Sequence, residues 1–152
     1  MDNQKQKISK WLGTGSINIF GLPFAGKDTQ AKNLAELLGG VIISGGDILR
    51  SYHDQGKIDS LMASGELIPS DIFMDIVLPY FSRPEFHFKP LILSSVGRLE
   101  GEEPTILKAA NNSGHPIKAV ILLNLSEAVV WHHFDNAKNI HDRGERLDDN
   151  RE

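Results

Sequence analysis

Ile17-Asn-Ile-Phe-Gly-Leu-Pro-Phe-Ala-Gly-Lys-Asp-Thr-Gln30 is the stretch that decides the fold. An apolar run, Ile17 to Phe20, leads into a turn carrying Gly21 and Gly26, and an amphipathic run from Ala31 to Leu38 follows. Strand, glycine turn and helix in that order build a loop whose backbone N–H groups face an anion, with the positive end of a helix dipole behind them. The spacing G-x-x-x-x-G-K puts Lys27 where its ammonium can reach a β- or γ-phosphate. The next residue is Asp28 where the strict signature has Ser or Thr, which makes Thr29 the candidate hydroxyl. Spacing alone also fits an ordinary glycine turn; its place between a strand and a helix favours phosphate binding by Pro23, Phe24, Ala25, Gly26, Lys27, Asp28 and Thr29.

Outward from this loop, residues 1–15 are polar and read as an N-terminal arm or short helix with Trp11 as its one large anchor. After the loop, Gly39-Gly40 closes the helix and Val41-Ile-Ile43 reads as a short buried strand. Ser44-Gly-Gly-Asp-Ile-Leu-Arg50 starts another helix. The stretch 51–82 is helical in pieces, broken at Gly65 and restarted at Pro69-Ser70-Asp71. Leu91-Ile-Leu93 predicts a third strand, residues 101–111 a helix, His115-Pro116 a turn and Val120-Ile-Leu-Leu123 a fourth strand. Ser126 is placed to cap a helix that runs to about Ala137. Short apolar strands alternating with helices predict a parallel sheet covered on both faces, with ligands at the strands' carboxyl ends. Gly21, Ser44, Ser94 and Asn124 follow those ends and therefore share one rim.

The 152 residues suit one domain, which at this size buries about 68–70% of its unfolded surface. Sixteen basic and twenty acidic residues give a net charge of −4, so no global field recruits nucleic acid or an acidic membrane. An anion must be held by a local cluster. No cysteine is present, which excludes disulfides, thiolate metal sites and a cysteine nucleophile. Nothing reads as a secretory signal or an apolar span of about 20 residues, so a soluble, cytoplasmic monomer is expected. His132 and His133 are adjacent, so on a helix they point roughly 100° apart and make a poor metal pair.

Ordered segments along the chain give a more specific likeness. The loop resembles the G-x-P-G-x-G-K-G-T-Q segment of the adenylate kinases and their relatives, the nucleoside monophosphate kinases, with Phe24 and Asp28 each standing where that family has glycine. Ile43-Ser-Gly-Gly-Asp-Ile-Leu-Arg50 resembles I-S-T-G-D-M-L-R, with Gly45 in place of the threonine. Gly65-Glu-Leu-Ile-Pro-Ser-Asp71 resembles G-x-L-V-P-D. Leu93-Ser-Ser-Val-Gly-Arg98 stands where the family has L-D-G-F-P-R, a weaker match in which Ser94 replaces an aspartate associated with the magnesium shell. Arg143-Gly-Glu-Arg-Leu-Asp-Asp-Asn150 resembles the G-R-x-D-D-N element that follows the lid.

The resemblance, which covers about residues 16 to 150, implies a three-layer α/β phosphate-loop (P-loop) NTPase fold in residues 16–152. Within it, about 44–82 would form the acceptor segment and about 138–146 a short lid. It implies transfer of the γ-phosphoryl of Mg-ATP to a nucleoside monophosphate, AMP first, with Lys27, Arg50, Arg98 and Arg146 carrying the charge and Arg143 as a less secure second lid arginine. Ser44, Gly45, Arg50, Leu67, Ile68, Arg98 and Glu102 would hold the acceptor, Glu102 standing where a glutamine of the family reads adenine. A surface carboxylate on a helix's first turn accounts for Glu102 and Glu103 equally well. Magnesium is expected to have no direct protein ligand, with Asp28 reaching it through water, or else Asp28 caps the helix that begins after the loop, favoured by its dipole. The resemblance also implies that the family's last helix and strand lie beyond Glu152, that residues from about Asn139 onward are mobile, and that this chain transfers phosphoryl groups poorly. A CMP- or GMP-type kinase and a non-catalytic nucleotide-binding module are the alternatives; shikimate- or gluconate-type kinases leave Gly65 to Asp71 unexplained.

Overall fold

A computed structural model describes residues 2–51, 56, 70–98 and 100–137. Helix α1 spans Asp2–Leu12, and strand β1, Ser16–Gly21, leads through the glycine loop into α2, Lys27–Leu38. Gly39 ends α2 in the left-handed region (φ 67°) and donates its N–H to the carbonyl of Ala35, the helix stop expected of a glycine there. Next come β2, Val41–Ser44, and α3, Gly45–Arg50. Helix α4 is Ser70–Phe81, followed by a single 3₁₀ turn at Pro84–Phe86 and by β3, Leu91–Ser94. Helix α5 is Glu103–Asn112, β4 is Ile117–Leu123 and α6 is Glu127–Ala137.

The four strands pair in the order β2-β3-β1-β4, and every pair is parallel. Alternation along each strand sends neighbours to opposite faces of the sheet. On one face Ile43, Leu91 and Leu93 pack with Ile48 of α3, Val77 and Phe81 of α4, and Ile106 and Ala110 of α5. On the other, Ile17, Ile19 and Ile92 pack with Leu12 of α1 and Ala31 and Ala35 of α2. Helices on both faces make the three-layer α/β architecture that the strand–helix alternation predicts. Each fully buried Leu or Ile contributes roughly 1.5–3 kcal/mol, so two continuous clusters suffice to hold the sheet in register.

Three local expectations are corrected. Trp11 is not the anchor of the N-terminal segment: it is 50% exposed, and Leu12, fully buried, plugs the core instead. Successive helix positions point about 100° apart, so only one of two neighbours can face the sheet. Among the described residues β2 is an edge strand rather than a buried one, with Ile42 exposed. β4 starts three residues earlier than Val120, because Ser16 and Ile117 already pair.

Among the described residues β4 is the other edge of the sheet, and Val120 and Leu122 on its outer alternation are 63% and 69% exposed. No described helix is long and apolar enough to cross a membrane.

The registers fix the functional rim. Ile19 pairs with Ser94, Ser44 pairs with Ser94, and Gly21 pairs with Leu123. The carboxyl ends of all four strands therefore open onto one edge, where open α/β sheets place their ligands.

Candidate functional site

Gly26 is the N-cap of α2 with φ 86°, the left-handed turn that glycine adopts without a Cβ penalty. Gly21 is needed for close approach: a Cβ there would lie 2.9 Å from the Leu123 carbonyl oxygen and 3.2 Å from the Ala25 Cβ. Lys27 folds back across the loop, its Nζ donating to the carbonyl oxygens of Gly21 and Leu22 at 2.8 Å each. The ammonium thus sits inside the turn, next to the backbone groups that would surround a phosphate. Ala25 is buried beneath the loop, Phe24 is half-buried, and Pro23, Asp28 and Thr29 are exposed.

Phe24 holds the left-handed conformation (φ 62°) in which a side chain is strained by roughly 1–2 kcal/mol. Tertiary contacts compensate. Its ring meets Phe134 of α6 edge-on at 4.9 Å, and Phe134 in turn meets Trp131 at 5.5 Å. His133 Nδ1 lies 2.9 Å from the Phe24 carbonyl, which can only accept, so the δ-nitrogen carries the proton and donates. Helix α6 therefore braces the loop that the glycine pattern alone leaves free.

Asp28 stands in the first turn of α2, and its Oδ1 accepts from Ser94 Oγ at 3.3 Å. The two positions at which the chain departs from the family pattern in carboxylate content are thus in contact across the rim.

At the end of β2, Ser44 caps α3. Its Oγ accepts from the Asp47 N–H, while Asp47 Oδ2 accepts from the Ser44 N–H, a reciprocal capping box. Arg50 reaches back over this first turn: its Nη2 lies 2.6 Å from Asp47 Oδ1, and a Cβ at Gly46 would meet Nη1 at 2.9 Å. Glycine at 46 is what lets the guanidinium lie on the backbone beside the strand end. Gly45, by contrast, has room for a Cβ, with only the Ser95 carbonyl near, at 3.8 Å.

Burial pushes the Asp47 carboxyl up, but hydrogen bonds from the Ser44 side chain and backbone and from Arg50, together with the Arg50 charge, outweigh it. They hold its pKa below the ordinary 3.8. A depressed folded pKa contributes stability that is present above the unfolded value and is lost as the pH falls through the folded one. Asp47→Asn should therefore flatten the acid limb of a thermal-midpoint profile below about pH 4, modestly because the carboxyl is part-exposed. An acid limb as steep as the parent's would show that Asp47 does not carry this dependence.

Arg98 is exposed just past β3 and makes no ion pair among the described residues. Glu102 is 4% exposed, so the surface-carboxylate reading is wrong for it. Its carbonyl accepts the N–H groups of Thr105 and Ile106 as α5 opens. Glu103 does fit that reading: it is exposed and accepts from the Gly101 N–H. Leu67, Ile68, Arg143, Arg146, the short-lid segment and the residues from 139 onward lie outside the described residues. The structure thus brings the loop, Lys27, Asp28, Ser94 and the Ser44–Arg50 turn onto one rim.

Reading along the chain missed Asn18. It sits inside the apolar run of β1, is 2% exposed and bonds both backbone groups of Val96. A polar residue inside an apolar run is the only sequence signal, and it does not say what the amide meets.

No protein-family model matches this chain. Curated adenylate kinases do. That of Parvibaculum lavamentivorans is 31% identical over 139 residues, 88% of this chain and 67% of the relative. That of Thermosipho melanesiensis is 32% identical over 128 residues, 81% of this chain and 59% of the relative. That of Kosmotoga olearia is 33% identical over 120 residues, 76% of this chain and 55% of the relative. The chain therefore spans between 55% and 67% of the length of these three relatives. With a parallel sheet, a glycine loop closed by its lysine, and a matching stretch that runs over most of the sequence, the chain belongs to the adenylate kinase family.

Proposed function

We propose that this chain binds ATP at the Gly21–Thr29 loop and moves its γ-phosphoryl to a nucleoside monophosphate held at the Ser44–Arg50 and Ser94–Glu102 turns, AMP being the first acceptor. The observation that carries the reading is the juxtaposition on one rim. Lys27 lies within the loop, and the Arg50 guanidinium is folded back to the end of β2, whose Ser44 pairs with Ser94 at the end of β3. Phosphoryl transfer asks little covalent chemistry of a protein; positioning and charge neutralisation lower the barrier. Lys27 would hold the β- and γ-phosphates of the donor, and the exposed Arg50 and Arg98 the acceptor phosphate, Arg50 exchanging Asp47 for it. Arg143 and Arg146 are proposed to close over the transferring group by family likeness alone.

Oxygen donors suit magnesium, and no group of three or more His, Asp or Glu among the described residues could hold the bare ion. Asp28 at the mouth of the loop is therefore the fitting partner for its water shell. When bound with ATP, the ion supplies charge neutralisation of the β- and γ-phosphates.

A coupled phosphotransfer assay over AMP, CMP, UMP, GMP and dTMP tests the reading. Turnover highest with AMP is expected; ATP binding with no turnover of any monophosphate would favour a non-catalytic module. A second reading makes the acceptor CMP or GMP, because Glu102 stands where a glutamine of the family reads adenine. An ionised carboxylate only accepts hydrogen bonds, which matches the amino edge of cytosine or the N1–H and amino edge of guanine. Glu102→Gln should then shift relative kcat/KM toward AMP by about tenfold, the value of one hydrogen bond to a charged group. Unchanged preference among the three would remove Glu102 from the base pocket.

A further inference from the structure

We infer that Asn18, in the middle of β1, is a positioning residue for the acceptor phosphate: its side-chain amide clamps the turn that delivers Arg98. This rests on the kinase reading above and adds to it the element that holds Arg98 in place. Asn18 Nδ2 donates to the Val96 carbonyl oxygen at 2.7 Å, and the Val96 N–H donates to Asn18 Oδ1 at 3.4 Å. One primary amide thus satisfies both backbone groups of a residue 78 positions away, as a neighbouring strand would.

The turn needs such a clamp. After Ser94 the chain leaves the sheet through Ser95 at φ 53° and Gly97 at φ 73°, two left-handed residues on either side of Val96. Ser95 has a Cβ and is strained there, and Gly97 has no ring or side chain to fix its own backbone. The remaining restraints are few: the Ser95 N–H donates to the Ile19 carbonyl at 2.9 Å, the Val96 side chain is buried, and Gly97 lies against Ile106, whose Cγ1 would be 2.7 Å from a Cβ at that position. Arg98 follows Gly97 directly and is exposed, so its backbone position is inherited from the turn. Without the amide, Val96 would bury an unpaired N–H and C=O, and the turn would relax toward less strained conformations.

The test is equilibrium binding of AMP and, separately, of Mg-ATP by calorimetry, with amide hydrogen exchange on the same proteins. Asn18→Leu removes both bonds at similar volume; Asn18→Ser removes the amide without adding charge and leaves room for a water to meet Val96. AMP binding should weaken about tenfold in Asn18→Leu and less in Asn18→Ser, while ATP affinity stays within about twofold. The Val96 amide should lose protection while those of Ile92 and Leu93 keep it. If Asn18→Leu does not fold, the same pattern at smaller size in Asn18→Ser carries the test. AMP affinity equal to the parent's overturns the positioning role alone. So does a parallel loss of AMP and ATP affinity accompanied by lost protection across the sheet, the signature of a purely structural residue. A parent protein that binds ATP but none of AMP, CMP or GMP overturns the acceptor reading, and this inference falls with it.

Discussion

Lys27→Ala should lower phosphoryl transfer by about 10²–10³-fold, the cost of removing one preorganised group aimed at transition-state charge. The ammonium is already in the loop, held at 2.8 Å by the carbonyl oxygens of Gly21 and Leu22, so little reorganisation separates the observed position from a phosphate. Those two bonds also close the loop, and their loss costs about 1 kcal/mol each at most in a part-exposed site. The loss should therefore appear in turnover and ATP affinity far more than in the melting midpoint, because neither core cluster contains Lys27. Lys27→Arg separates charge from fit: a planar guanidinium is too wide to donate to the same two carbonyl oxygens, and it should recover only a small part of the activity. Turnover of Lys27→Ala within about threefold of the parent would detach this loop from the reaction.

What could be read from the chain and what could not divide along physical lines. The glycine loop was legible because a strand, a left-handed turn and a helix follow one another within a few residues, so local sequence carries the whole geometry. The same holds for Gly39 as the stop of α2 and for the start of α3 at Ser44. The parallel sheet and its shared rim followed from alternation of apolar strands with helices.

Contacts between distant residues were not legible. Asn18 needs Val96, His133 needs Phe24 at a separation of 109, and no local pattern announces either pair. Trp11 misled by size: the larger side chain was given the anchor, but the phase of α1 turns Leu12 inward. Phe24 is the intermediate case. Its departure from glycine was visible in the sequence; the aromatic packing from α6 that tolerates it was not.

Asp28→Asn should raise the magnesium concentration that half-saturates ATP binding by about tenfold, roughly the Coulomb value of one carboxylate near a divalent ion's water shell in high dielectric. The sequence left two roles for this residue, the rim and its own helix, and the structure supplies a reason to prefer the first. Gly26, not Asp28, occupies the N-cap of α2, and the Asp28 side chain accepts from Ser94 Oγ at 3.3 Å. Ser94 is buried at the end of β3, between the ends of β1 and β2, and its hydroxyl fixes the direction of the carboxylate. We propose that Asp28, reaching this rim from the facing helix, stands in for the carboxylate that the family pattern carries at Ser94. The exchange makes a reciprocal test. Asp28→Gly should raise the half-saturating magnesium concentration as Asp28→Asn does, and adding Ser94→Asp to Asp28→Gly should lower it again, because the charge returns to the opposite wall of one site. Measuring ATP affinity against magnesium concentration reads this without any turnover. If Asp28→Asn leaves that curve unmoved and only lowers the melting midpoint, the carboxylate serves the dipole of α2, worth about 0.3–1 kcal/mol, and takes no part in the metal's shell.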